Sequence, residues 1–124
     1  MLKRICLSIL TWLGVTTKPD VVGVLVKVNP TNEAVPSGRV VVVGGRGYQK
    51  WAYIRCPCRC GDVIMLSLAK SRRPRWTVKM DWLNRPSIEP SIRQTSGCYS
   101  HFWVRRGVVD WCSDTGRAPP AADS

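Results

Sequence analysis

The sequence predicts a mainly β domain, a small antiparallel meander of hairpins closed around a cysteine-rich turn. Three observations predict it. Short runs of β-branched and aromatic residues recur along the chain, Pro/Gly/Asn turn signals separate them, and amphipathic helical periodicity is confined to the first 15 residues. The length of 124 residues fits one domain with a thin core, the size at which a metal or disulfide staple is common. Hydrophobic content of 44% and charged content of 22% exclude a disordered chain.

Residues 1–19 form an apolar and basic segment. Lys3 and Arg4 precede Ile5 to Leu13, and apolar residues at 2, 5, 9, 12 and 13 fit one face of a short amphipathic helix, or a strand, packed on the domain. The run is too short to span a bilayer and no small-x-small cleavage site follows it, so no stable membrane insertion is expected. Cys6 in this run reads as an inert apolar thiol.

Residues 20–112 are the expected domain. Val21 to Val28 reads as a strand stopped by Asn29-Pro30, and Glu33 to Gly38 as a loop. Arg39 to Val43 is a second β-branched run, with Gly44-Gly45-Arg46-Gly47 as its turn. That glycine run lacks the following Lys-Ser/Thr and helix of a phosphate-binding loop. Tyr48 to Arg55 is a strand leading into Cys56-Pro57-Cys58-Arg59-Cys60-Gly61, and Asp62 to Leu68 is a buried strand leaving it. Lys70 to Arg75 is a basic turn, Trp76 to Asp81 alternates as a strand, and Asn84 to Pro90 is a Pro-rich loop leading to Ser91-Ile92. His101 to Trp111 has a hairpin's pattern, turning at Arg106-Gly107. Residues 113–124 read as a disordered tail.

Five of the six cysteines and the single histidine fall at three places: the cysteine turn, Gly97-Cys98-Tyr99-Ser100-His101, and Trp111-Cys112. Metal ligation, a disulfide framework and a thiol active site would each gather residues this way. Metal ligation is favoured. The Cys-x-Cys-x-Cys run is too tight for its members to pair with each other, and a His beside a Cys suits Zn2+. The chain is then expected in a reducing, cytoplasmic setting.

Zn2+ takes four thiolate or imidazole ligands. Six candidates compete for those positions: Cys56, Cys58, Cys60, Cys98, His101 and Cys112. A hairpin starting at His101 and ending at Trp111 should bring Cys112 beside His101. Any thiol left over beside His101 would be a nucleophile with a matched base, and Ser91, Ser96 and Ser100 are hydroxyls in the same segment. An open zinc position could instead activate water with Glu89 as base. Spacing alone favours a closed structural site.

The net charge is +11. It fits an acidic partner (nucleic acid, an anionic membrane surface or an acidic protein), and solubility alone is the competing reading. Arg72, Arg73 and Arg75 beside Trp76, and Arg105 and Arg106 on the hairpin turn, are the expected contacts to phosphates or carboxylates. Most of the six tryptophans are expected in the core.

The chained motifs Cys56 to Gly61, Arg75-Trp76, Pro90-Ser91-Ile92, Gly97-Cys98-Tyr99-Ser100-His101-Phe102 and Trp111-Cys112 resemble a family of small bacterial proteins. Those proteins are encoded in ubiquitin-like conjugation operons, beside multi-ubiquitin-domain proteins and E1- and E2-like enzymes. The resemblance spans roughly Val35 to Cys112. It implies a metal-binding accessory protein whose partners are the ubiquitin-like protein and its E1- and E2-like enzymes. It further implies a peptidase that trims or removes the modifier, with His101 as base and Cys98, Ser91, Ser96 or Ser100 as nucleophile. A non-enzymatic zinc module binding an acidic partner is the alternative. Arg59 stands where the family usually has Gly, so a positive φ there would be strained.

Overall fold

The computed structural model describes residues 19–45, 47–71 and 73–118. The expected N-terminal helix or strand, Cys6 and Arg72 lie outside these residues. Among the described residues eight strands build two four-stranded sheets. The first holds β1 (Val22–Val26), β2 (Arg39–Gly45), β3 (Tyr48–Arg55) and β4 (Val63–Ser67), and the second β5 (Thr77–Met80), β6 (Pro86–Arg93), β7 (His101–Arg105) and β8 (Val108–Trp111). The mainly β expectation holds, but the meander is divided. No pairing joins β4 to β5, and β1 runs parallel to β2 because a turn over Asn32–Ala34 carries the chain back before β2 begins.

The inner faces of the two sheets meet in one core. Val40, Val42, Ala52, Ile54, Ile64 and Leu66 from the first sheet pack against Val78, Ile88, Ile92, Phe102 and Val104 from the second. Period-two alternation explains the choice: Phe102 and Val104 point in, so His101, Trp103 and Arg105 lie on the opposite, outer face. The Val40–Val43 run is buried on both faces, since Val41 and Val43 join Val35 and Tyr53 in a smaller cluster behind the first sheet. Among the described residues the core is aliphatic apart from Phe102, Tyr53 and Cys56. The expectation of a tryptophan-filled core is not met, because Trp82 and Trp111 are exposed and Trp51, Trp76 and Trp103 only half-buried.

Two further expectations change. Gly44 and Gly45 belong to β2, which passes a bulge at Val43/Gly44 before turning. A side chain on Gly44 would run into the Tyr48 carbonyl, so the close approach selects glycine. The Pro-rich stretch expected as a loop is strand β6 from Pro86 onward. Its prolines are tolerated because Pro86 begins the strand and Pro90 sits in a bulge. Gly107 ties the sheets together: its carbonyl accepts hydrogen bonds from the amides of Asp20 and Val21 at 2.7 and 2.9 Å. It holds a φ of 78°, which glycine adopts freely.

Candidate functional site

The irregularity in β6 shapes the outer face of the second sheet. Ile88 pairs with Val104 and Ile92 with Phe102, so four steps along β6 match two along β7. Both isoleucines stay in the core, and Glu89, Pro90 and Ser91 are pushed out between them. The Trp76 indole N–H, just before β5, donates to the Ser91 carbonyl at 3.2 Å and holds the bulge from the side. Beyond the bulge Arg93 pairs with His101, which sets the imidazole next to Ser91.

Ser91 Oγ lies 2.9 Å from His101 Nε2, and His101 Nδ1 lies 2.6 Å from Asp114 Oδ1. Arg93 donates to the other carboxylate oxygen of Asp114 at 2.9 Å. The hydrogen bond with His101, supported by the charge of Arg93, holds the Asp114 carboxyl below its ordinary range despite an opposing desolvation cost. Asp114 stands on a turn just past the last strand. Gly116 N–H donates to the Tyr99 carbonyl at 2.8 Å, Thr115 Oγ1 accepts from the His101 amide at 2.9 Å, and Thr115 N–H reaches the Cys112 carbonyl at 3.1 Å. Hydroxyl, imidazole and carboxylate thus form an unbroken relay, the arrangement in which an imidazole can take a proton from a hydroxyl while a carboxylate fixes its tautomer.

The thiols gather elsewhere. Sγ atoms of Cys56, Cys58, Cys60 and Cys98 all lie within 4.8 Å of one another. Cys56 and Cys58 are 3.3 Å apart and Cys56 and Cys98 3.7 Å. Zn–S bonds of about 2.3 Å in a tetrahedron require S···S edges of roughly 3.8 Å, so the set fits a four-thiolate cation site. Ser100, buried, places its hydroxyl 3.4 Å from Cys56 Sγ and 3.1 Å from Cys98 Sγ. Its hydrogen bonding is the leading cause that lowers the Cys58 thiol to about 6, whereas burial pushes Cys56 up to about 12. A cation would have to displace the Cys56 proton, as metals do on binding thiols.

Arg55 builds the cysteine turn from the side. Its guanidinium donates to the carbonyls of Val35, Gly61 and Asn32 at 2.8, 3.0 and 2.7 Å. Cys56 N–H donates to the Asp62 carbonyl at 2.8 Å, and Arg59 turns the chain at a φ of 70°. The turn lies between β3 and β4 of the first sheet, whereas Cys98 lies between β6 and β7 of the second. The four thiols therefore meet across the sandwich, at the loop that leads into His101.

The six ligand candidates thus separate. Four thiols cluster, while His101 and Cys112 join Asp114, with ligand atoms of these three within 4.8 Å. Cys112 N–H donates to the His101 carbonyl at 2.9 Å, the neighbourhood expected of the hairpin ends. Burial, followed by the charges of Asp114 and Asp110, pushes the Cys112 thiol up. Of the candidate nucleophiles, Ser91 meets His101, Cys98 and Ser100 stay with the thiols, and Ser96 is exposed beside Asp62 and Gln94. Arg75, Arg105 and Arg106 line one groove on the outer face with Trp103, Glu89 and Pro90, and Arg105 lies 4.6 Å over the Trp103 ring. Arg73 lies apart, bonding the Lys70 carbonyl at 3.2 Å. Sequence reasoning missed Asp114 and Arg55. The Ser113-Asp114-Thr115-Gly116 run, a turn composition after the last strand, was the available signal for Asp114.

Fold and site together define a small two-sheet β protein with a hydroxyl-imidazole-carboxylate relay beside a four-thiol cluster. The chain belongs to the bacterial ubiquitination-like system serine protease family (BubE), which it matches over residues 27–112. No curated protein and no solved structure matches it. Among the described residues no helix is long and apolar enough to cross a membrane.

Proposed function

We propose that the chain is a serine peptidase that cuts after the C-terminal tail of a ubiquitin-like modifier, either to mature it or to release it from targets. The observation that carries this reading is the relay Ser91–His101–Asp114, continuous at 2.9 and 2.6 Å. Ser91 Oγ adds to the scissile carbonyl as its proton passes to His101 Nε2. The tetrahedral adduct then collapses to an acyl-enzyme, and His101 gives that proton to the departing amine. Water, deprotonated by His101, releases the acyl group and restores Ser91. Asp114 keeps Nδ1 protonated, so that Nε2 presents its lone pair to Ser91, and Arg93 keeps Asp114 ionised and aimed.

Cys56, Cys58, Cys60 and Cys98 are the residues that would hold Zn2+. The ion would supply a closed structural cross-link with no catalytic role. The link would fix the loop between β6 and β7, whose two ends carry Ser91 and His101. The groove of Arg75, Arg105, Arg106 and Trp103 adjoins Ser91 through Pro90 and suits an acidic modifier surface. Here the partner is the ubiquitin-like protein, whose conjugation also involves the E1- and E2-like enzymes.

The test is incubation with the modifier carrying its C-terminal extension, and with its lysine conjugate, read by intact mass. The expected result is a single cut at the modifier's C-terminus that Ser91→Ala abolishes. An intact precursor and an intact conjugate would overturn the proposal.

A further inference from the structure

We infer that His101, Cys112 and Asp114 form a second, weaker metal position at which a cation such as Zn2+ reversibly switches the peptidase off. The three residues bring their ligand atoms within 4.8 Å of one another, apart from the four-thiol group. They offer nitrogen, sulfur and oxygen, a donor set that zinc accepts, with water for the fourth position. The hairpin register makes the encounter obligatory: Cys112 N–H bonds the His101 carbonyl, and Thr115 and Gly116 pin the turn that returns Asp114. Neither the Ser91–His101–Asp114 relay nor the four-thiol group uses the half-buried Cys112 thiol.

Occupation of this position is incompatible with the relay. A neutral imidazole has one lone pair, and a cation bound to His101 takes it. Bound at Nε2, the cation displaces Ser91 from the base. Bound at Nδ1, it displaces the hydrogen bond to Asp114 and forces the ring proton onto Nε2, where Ser91 meets a donor instead of a base. Three protein ligands with one thiol hold zinc less tightly than four thiolates. The structural position therefore fills first, and the second follows only as free zinc rises. The switching rests on the peptidase reading above, whereas the metal position does not.

The experiment uses the full chain with its four-thiol position filled. Co2+ is titrated while thiolate-to-metal charge-transfer absorption is followed, and Zn2+ is titrated in parallel against cleavage of the modifier precursor. The inference expects a second equivalent, with a thiolate band that Cys112→Ser removes while the first equivalent stays bound. Cleavage should fall at least about 10³-fold at saturation, towards the roughly 10⁶-fold of losing the triad base. It should do so at the binding midpoint and return on weak chelation. The Cys112→Ser protein should keep its own zinc-free rate when zinc is added. Absence of a second equivalent, or one that Cys112→Ser retains, overturns the metal position. A second equivalent that leaves cleavage unchanged overturns the switch. Absence of cleavage at every zinc level refutes the peptidase reading, and the cobalt titration still decides the metal position.

Discussion

Ser91 Oγ and His101 Nε2 stand 2.9 Å apart although they approach from different strands, Ser91 from the bulge of β6 and His101 from the first position of β7. The contact exists because β6 takes four steps between Ile88 and Ile92 where β7 takes two. Without those extra residues Ser91 would lie in regular register and the hydroxyl would not be thrust onto the outer face beside the imidazole.

In the proposed mechanism Asp114 supports the relay by fixing the tautomer of His101. Asp114→Asn should lower kcat by about 10⁴-fold with little change in KM, because an amide N–H facing Nδ1 favours the wrong tautomer. Steady-state kinetics on the modifier precursor check this. Equal loss through KM would point instead to a substrate contact.

The four thiols join the sheets, so a metal held by them would be a stability element. Cys98→Ser should abolish binding of the first Zn2+ equivalent and lower Tm. A loss of even about 3 kcal/mol would bring Tm down by roughly 12–24 °C in a domain this small. Elemental analysis and calorimetry read both quantities. Ser91→Ala should keep that zinc and its Tm.

Arg59 holds a φ of 70°, in the left-handed region that a side chain disfavours. Arg59→Gly should relieve the turn and raise stability by roughly 0.5–1 kcal/mol. Denaturant unfolding of the zinc-loaded protein measures it. A lower stability would mean that the Arg59 side chain makes a contact worth more than the strain.

Asp81 closes the turn between β5 and β6. Its carboxylate accepts from the amides of Leu83 and Arg85 at 3.0 and 2.9 Å and from the Arg85 guanidinium at 2.6 Å. Burial opposes ionisation, but these donors outweigh it and hold the carboxyl below its ordinary range. A folded-state pKa depressed below the unfolded one means stability fully present above the unfolded pKa and lost as pH falls through the folded one. Asp81→Ala should therefore cost about 1–3 kcal/mol near neutrality, and the difference from wild type should shrink under acid conditions. Denaturant midpoints across pH give the comparison.

The strands were legible because β-branched runs and turn residues punctuate the chain, and only β6 hid behind its prolines. The thiol cluster was legible as a set of candidates, but spacing could not divide it. Cys98 and His101 are three apart, yet one ends in a loop facing the first sheet and the other begins a strand with its side chain outside. The choice among Ser91, Ser96 and Ser100 depended on the bulge, a tertiary feature without a local signal. Asp114 follows the last strand in a polar stretch that reads as a tail, and the bonds of Thr115 to His101, of Gly116 to Tyr99 and of Arg93 to Asp114 itself return it to the imidazole. Size alone argues for buried tryptophans, but the aliphatic faces of both sheets fill the core.

Activation of Ser91 by His101 is read most directly by mass spectrometric mapping after reaction with a fluorophosphonate, which phosphonylates activated serines. One adduct is expected, on Ser91, lost in His101→Ala protein that still carries zinc on its four thiols. An adduct on Ser96 or Ser100, or no adduct on a protein that cleaves the modifier, would contradict it.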